Sequence, residues 1–176
     1  TGLSTGVFRG WMLFDEVSGL AVTDGKLQVV RGNRLTASYT DPKDDFGNVK
    51  TVTDIAYYGV SLASGVISVN TTWQKNKSPY LVTGDVTVNS GVTLTIEPGV
   101  QVRFVAISDD QRGGDDINRS ELRIGGVLRA IGTPADTIIF TSNGEIPASG
   151  DWYGMRLYGS GNRVIMKYCR VEYNVY

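Results

Sequence analysis

The chain of 176 residues contains no histidine. That absence removes Ser-His and Cys-His nucleophilic machinery, zinc sites built on imidazole, and pH switching through a side chain that titrates near neutrality. A single cysteine, Cys169, excludes an internal disulfide; in the alternating run KYCRVEY it reads as a small buried hydrophobe. Charge of one sign is lacking too. The 17 Lys and Arg nearly cancel the 18 Asp and Glu, for a net of -1, so no global field draws the chain to nucleic acid or an anionic membrane, and any partner has to be recognised locally. No run of about 18 apolar residues offers a membrane span, and the opening TGLSTGVFRGWMLF has none of the three parts of a signal peptide. Helical periodicity is also missing, because Gly, Pro or clusters of β-branched residues interrupt every window in which apolar residues would recur at i, i+3, i+4 and i+7.

What remains is a chain of short strands and turns. The 22 glycines stand beside alternating Val, Thr, Ile and Tyr, a composition that predicts an all-β protein. Residues 1–75 carry strands separated by loops of irregular length. In KLQVVRGNRLTASY, Leu27 and Val29 alternate with polar residues, and Leu35, Ala37 and Tyr39 do so after a Gly-Asn turn, which predicts a hairpin with one buried face. The polar stretch QKNKSP, which ends at Pro79, is where a boundary is expected, with a second domain over 76–176.

The second region repeats. Moving TLTIEPGVQVRF, residues 93–104, forward by 28 positions lands on ELRIGGVLRAIG. Leu94 then falls on Leu122, Ile96 on Ile124, Val100 on Leu128 and Val102 on Ala130, and Pro98-Gly99 falls on Gly125-Gly126. Such a period marks stacked coils, each made of flat strands turned by tight corners where glycine can take φ > 0 and proline cannot join a ladder. Later strands are expected at TIIFTS, at WYGMRLYG with Met155 and Leu157 inward, and at RVIMKY with Val164 and Met166 inward. Leu94 is expected to stack on Leu122, and Val100 on Leu128.

VTLTIEPGVQVRF, followed by ELRIGGVLRAIGTPADTIIFTS and DWYGMRLYG, resembles the opening coils of right-handed parallel β-helix proteins of bacterial cell surfaces. Upstream, STGVFRGWMLF, DGKLQVVRGNRLTASYTDP and FGNVKTVTDIA are similar to the latter half of immunoglobulin-like repeats in large secreted or surface-anchored bacterial proteins. The resemblance implies a partial Ig-like β-sandwich over 1–75, followed by about three coils of a right-handed parallel β-helix over 76–176. Both edges look like cuts in a longer polypeptide or places where another chain continues the structure.

Two acidic stretches compete for chemistry. SDDQRGGDDINRSE carries Asp109, Asp110, Asp115 and Asp116, and DPKDDFGN carries Asp41, Asp44, Asp45 and Asn48. Carboxylates with glycine between them can hold Ca²⁺ or act as paired acids. The spacing matches no EF-hand, Arg112 and Arg119 offset the first cluster, and turns demand the same residues for backbone reasons. The reading is therefore a solvated loop in each case, with calcium the main competitor; no catalytic, cofactor-binding or metal-ligating residue is assigned. Trp152, Tyr153, Tyr158, Tyr168, Tyr173 and Tyr176 crowd the final coils as core or ladder residues, with a sugar-stacking face as the alternative. Glycosylation triplets start at Asn70, Asn76 and Asn118.

The expected function is a non-enzymatic, extracellular or cell-surface structural protein: an adhesin, stalk or self-assembling filament subunit. Its partners would be copies of itself, other surface proteins or glycans, not nucleic acid. The alternative is part of a carbohydrate-active β-helix enzyme, a polysaccharide lyase or glycoside hydrolase, since the resemblance brings those enzymes with it and fold does not give function.

Overall fold

The computed structural model describes residues 11–16, 24–42 and 46–175. It is all-β apart from one 3-10 turn, Lys75–Lys77, and it divides into two compact units between Gly59 and Val60.

In the first unit, β1 (Leu13–Glu16) pairs in parallel with β2 (Lys26–Val29), and β3 (Arg34–Asp41) pairs antiparallel with β4 (Lys50–Tyr57). The hairpin expected between KLQVV and RLTASY does not form. The Gly-Asn turn is present, closed by Asn33 N–H donating to Val30 O at 3.0 Å and Val30 N–H donating to Asn33 Oδ1 at 2.8 Å, but the strands it joins belong to different sheets. Length and cross-strand chemistry explain the choice. The four residues of β2 cannot satisfy the eight of β3, whereas β4 matches it from Arg34↔Tyr57 to Asp41↔Lys50. Hydroxyl pairs Ser38–Thr53 at 3.3 Å and Thr40–Thr51 at 3.0 Å add to that register. An apolar cleft of ≈ 220 Å³ is lined by Phe14, Leu27, Leu35, Ala37 and Ile55.

The second unit is a parallel coil. It begins with β5 (Ser61–Ile67) and β6 (Thr71–Trp73), earlier than the expected boundary at residues 75 and 76, and QKNKSP forms the 3-10 turn within a coil. There follow β7 (Tyr80–Val88), β8 (Thr93–Ile96), β9 (Gln101–Phe104), β10 (Glu121–Ile124), β11 (Val127–Ile131), β12 (Ile138–Ser142), β13 (Gly154–Leu157), β14 (Arg163–Lys167) and β15 (Cys169–Val171). Every pairing among them is parallel. A first side stacks the end of β7, β10 and β13; a second stacks β6, β8, β11 and β14; a third stacks the start of β7, β9, β12 and β15. The long β7 serves both the third and the first side because only Thr83, Gly84 and Asp85 separate them.

TLTIEPGVQVRF is thus two sides of one coil, since β8 and β9 pair with strands of other coils and not with each other. Leu94, Ile96, Val100 and Val102 all point inward, with exposures of 0 to 1%. The expected stacking partners are corrected, however. Leu94 lies in register with Leu128, Val102 with Phe140, and Leu122 with Val86. A shift of 28 moves each strand onto the wrong side of the next coil. Each side carries the same apolar alternation, so a slide one side short of a full turn still matches inward residues with inward residues. The corner equivalence fails with it: Gly99 closes the corner after the second side, Gly125-Gly126 the corner after the first.

Met155 on Leu122, Val164 on Leu128 and Met166 on Ala130 keep the inward positions expected of them. Leu157 does not share their burial: it pairs with Ile124 but, at the end of β13, is 55% exposed. Two ring stacks strengthen the core: Trp73 on Tyr80 at 4.8 Å and Phe104 on Trp152 at 3.9 Å, nearly parallel at 5°. Gly126 permits the close stacking of corners. A Cβ there would lie 2.2 Å from Val92 O and 2.3 Å from Asn89 O, so no side chain fits without moving backbone.

Candidate functional site

The corner from the third side to the first is short in the first coil and long in the later ones. It is the three residues 83–85 at first, then the loop 105–120, then 143–153. Acidic residues collect here, and Asp85, Asp109, Asp151 and the adjoining Glu121 are buried.

Asp109 folds the larger loop. Its Oδ1 accepts from Gln111 N–H at 3.0 Å and Asp85 N–H at 3.3 Å, and its Oδ2 from Gly113 N–H at 2.8 Å. Glu121 Oε1 accepts from the N–H groups of Asp115 and Asp116 at 2.7 and 2.9 Å, and Asp85 Oδ1 accepts from Glu121 N–H at 2.9 Å. Asp85 is 3% exposed and Glu121 0%. The backbone presses close to both carboxylates at Gly114, where φ is +68 and a Cβ would sit 2.7 Å from Asp85 Oδ2 and 2.8 Å from Glu121 Oε1.

Burial pushes the Asp85 carboxyl up to about 6; the Glu121 N–H bond opposes this, and the nearby Asp109 and Glu121 charges add to it. Glu121 is raised as well, first by burial and against the pull of the Asp116 and Asp115 N–H groups. Glu121 Oε2 and Ser120 Oγ are buried without a hydrogen-bond partner, although Arg123 Nε stands 3.7 Å from the former. These acids hold the loop together with lone pairs that a substrate or cation would otherwise use.

The remaining expected residues are engaged locally. Asp110 Oδ2 accepts from Thr83 Oγ1 at 2.6 Å, Asp116 pairs with Arg119 at 2.8 Å, and Asp115 pairs with Arg156 at 2.7 Å. Arg119 Nε donates to Gly150 O at 2.6 Å, tying the two long corner loops together. Asp151 accepts from Ser142 Oγ and from Ala148 N–H. In the first unit Asp41 ends β3 opposite Lys50, and Asn48 lies in the turn that precedes β4; Asp44 and Asp45 lie outside the described residues. Among the described residues no three of His, Cys, Asp or Glu gather as a metal ion would require.

The aromatics divide. Trp152 is in the core, with its Nε1–H donating to Glu172 O at 2.8 Å. Tyr153 and Tyr158 lie on the outer surface of the first side beneath Arg156 and Arg123, at 5.4 and 5.1 Å from guanidinium carbon to ring centre. Those arginines are register neighbours on β10 and β13. Tyr168 and Tyr173 are partly exposed, and Tyr176 lies outside the described residues. Cys169 is half-buried, its thiol 3.2 Å from Ala130 O, and burial raises its pKa.

Sequence reasoning overlooked Asp85, Glu121 and Asp151. A signal for the first two was present: in GDVTV and SELRI an acid immediately precedes a first-side strand, and the register Leu122↔Val86 makes Asp85 and Glu121 equivalent. The 28-residue alignment hid that equivalence.

The profile of the family described as "Pectate-lyase like beta helix domain" matches residues 65–173, the coil from β5 to its last turn. The chain belongs to this family. Protein bark beetle of Drosophila melanogaster is 30% identical to the chain over 131 residues, which are 74% of the chain and 4% of that protein. The chain therefore spans only a small fraction of that relative's length. No solved structure matches. Among the described residues no helix is long and apolar enough to cross a membrane.

Proposed function

We propose that this β-helix family member is a non-enzymatic structural module of an extracellular or cell-surface protein, an adhesin, stalk or filament unit whose coils extend a rigid surface. The observation that carries the reading is the fate of the acids. The carboxylates that could serve as paired catalytic groups are engaged by backbone N–H groups, by Arg119 of their own loop and by Arg156 of β13. The first unit is read as the partial Ig-like sandwich that the sequence resembles; its two small sheets flank an apolar cleft.

One observation favours a second reading. Arg123 and Arg156 stand in register on the outer surface of the first side, with Tyr158 and Tyr153 beside them. That arrangement, together with the family's description, suits a carbohydrate-active site. Incubating the full parent protein with acidic and neutral polysaccharides separates the two. Absence of new reducing or unsaturated ends, with ordered end-to-end contacts in electron micrographs, supports the structural role; cleavage abolished by Arg123→Ala or Arg156→Ala overturns it.

A further inference from the structure

Charge is distributed unevenly over the outer surface of the coil. On the first side, Arg123 and Arg156 face Glu121 and Asp115. At the corners and on the third side, Arg119 is paired with Asp116, Lys75 with Asp136 and Arg170 with Glu172. On the second side, three exposed cations, Arg129, Arg163 and Lys167, have no carboxylate within ion-pair distance among the described residues; Lys167 lies only over the Tyr168 ring, at 5.2 Å. Glu97, at the edge of this side, directs Oε2 to Lys75 N–H at 2.8 Å.

These cations alternate with apolar residues in two directions. β11 and β14 are paired as Val127↔Arg163, Arg129↔Ile165 and Ile131↔Lys167. Each cation therefore has an apolar neighbour across the ladder, and along each strand the outward positions alternate in kind. Outward residues two apart on a strand are separated by about 7 Å, and neighbouring strands by about 4.8 Å. Beside this checkerboard lies a groove of ≈ 220 Å³ lined by Thr95, Glu97, Pro98, Arg129 and Ile131.

We propose that the outer surface of β11 and β14 docks an extended acidic segment of a partner protein in which carboxylates alternate with apolar residues on one face. An extended chain has the same spacing of about 7 Å between same-face residues. Two of its carboxylates meet Arg163 and Lys167 while the apolar residue between them covers Ile165, and Arg129 adds a third charge from the neighbouring strand. A uniformly charged polymer, glycan or nucleic acid, would set charged groups against Val127, Ile131 and Ile165, at a desolvation cost that nothing offsets. The inference holds whether the coil is structural or catalytic, since it uses none of the residues on the first side.

The test is fluorescence anisotropy of the full chain at low ionic strength with a labelled peptide of the repeat Glu-Ser-Val-Ser, which sets Glu and Val alternately on one face when extended, against a peptide of the same composition with its Glu residues in one block. The alternating peptide is expected to bind more tightly than the block peptide, to weaken as salt rises, and to lose about tenfold or more in affinity to Arg163→Glu/Lys167→Glu. Arg170→Glu, on the third side, should leave binding unchanged. Circular dichroism confirms that the surface variants fold. Equal binding of both peptides, tighter binding of polygalacturonate or single-stranded DNA, or no binding of the alternating peptide at millimolar concentration would each overturn the proposal.

Discussion

Leu94 and Leu128 sit side by side on adjacent coils, both 0% exposed and in direct parallel register, whereas Leu122 pairs with Val86 on another side. This relationship sets the period of the coil and makes a direct prediction. Leu94→Ala and Leu128→Ala should each cost about 2–5 kcal/mol, through lost transfer energy and the cavity left behind. In denaturant titrations the pair should show a coupling of about 0.5–3 kcal/mol. The combination of Leu94→Ala with Leu122→Ala should come closer to additivity; the opposite ranking would restore the 28-residue register.

Much of the architecture was legible in the alternation of apolar residues. Leu94-Ile96 and Val100-Val102 were identified correctly as inward, because a period of two needs only local information. The stacking partners did not follow, because register is a long-range property and each side of the coil repeats the same pattern. Loop 105–120 was recognisable as an insertion from its polar composition. What its acids do was not legible, since Asp109 and Glu121 are set apart from Asp115 and Asp116 by burial, and burial depends on which corner stacks beneath them. The aromatics show the same limit: all were read as core or ladder residues, and Trp152 lies wholly in the core whereas Tyr158, Tyr168 and Tyr173 are exposed.

Gly126 offers a test of the stacked corners. Gly126→Val has to displace the carbonyls of Asn89 and Val92 and is expected to prevent the coil from folding or to lower its melting temperature severely. At Gly91, with φ +77, an added Cβ would meet nothing within 4 Å, so Gly91→Ala incurs only the strain of left-handed backbone, about 1–2 kcal/mol. Thermal melts of the two variants should differ clearly, and similar melts would mean the corners are looser than the distances indicate.

The Phe104–Trp152 stack joins the third side to the loop that leads into the last coil. Trp152→Ala removes a buried ring and a hydrogen bond to Glu172 O, for an expected loss of about 3–5 kcal/mol. Trp152→Phe keeps most of the stacking and should lose less. Tryptophan emission provides the readout: Trp11 is fully exposed, so the blue-shifted part of the spectrum should diminish in both variants. Loss of the red-shifted part instead, in Trp152→Phe, would place Trp152 in water.

Acid should stabilise the coil before it destabilises it. Asp85 has a folded pKa of about 6 against an ordinary 3.8, so the folded state binds more protons between those values and stability rises as pH falls through about 6 toward 4. Glu121 shifts in the same direction. Asp116 is opposite: its carboxylate is held low by Asn118 N–H and then Arg119, and its contribution is present above its unfolded pKa and lost as pH falls through its lower folded value. The melting temperature should therefore climb between about pH 7.5 and pH 5, then drop in stronger acid. Asp85→Asn preserves an acceptor for Glu121 N–H without a charge to bury, so it should flatten the climb. A wild-type melting temperature that falls steadily from about pH 7.5 to pH 5 would mean that Asp85 is hydrated and ionised, with the loop standing open above it.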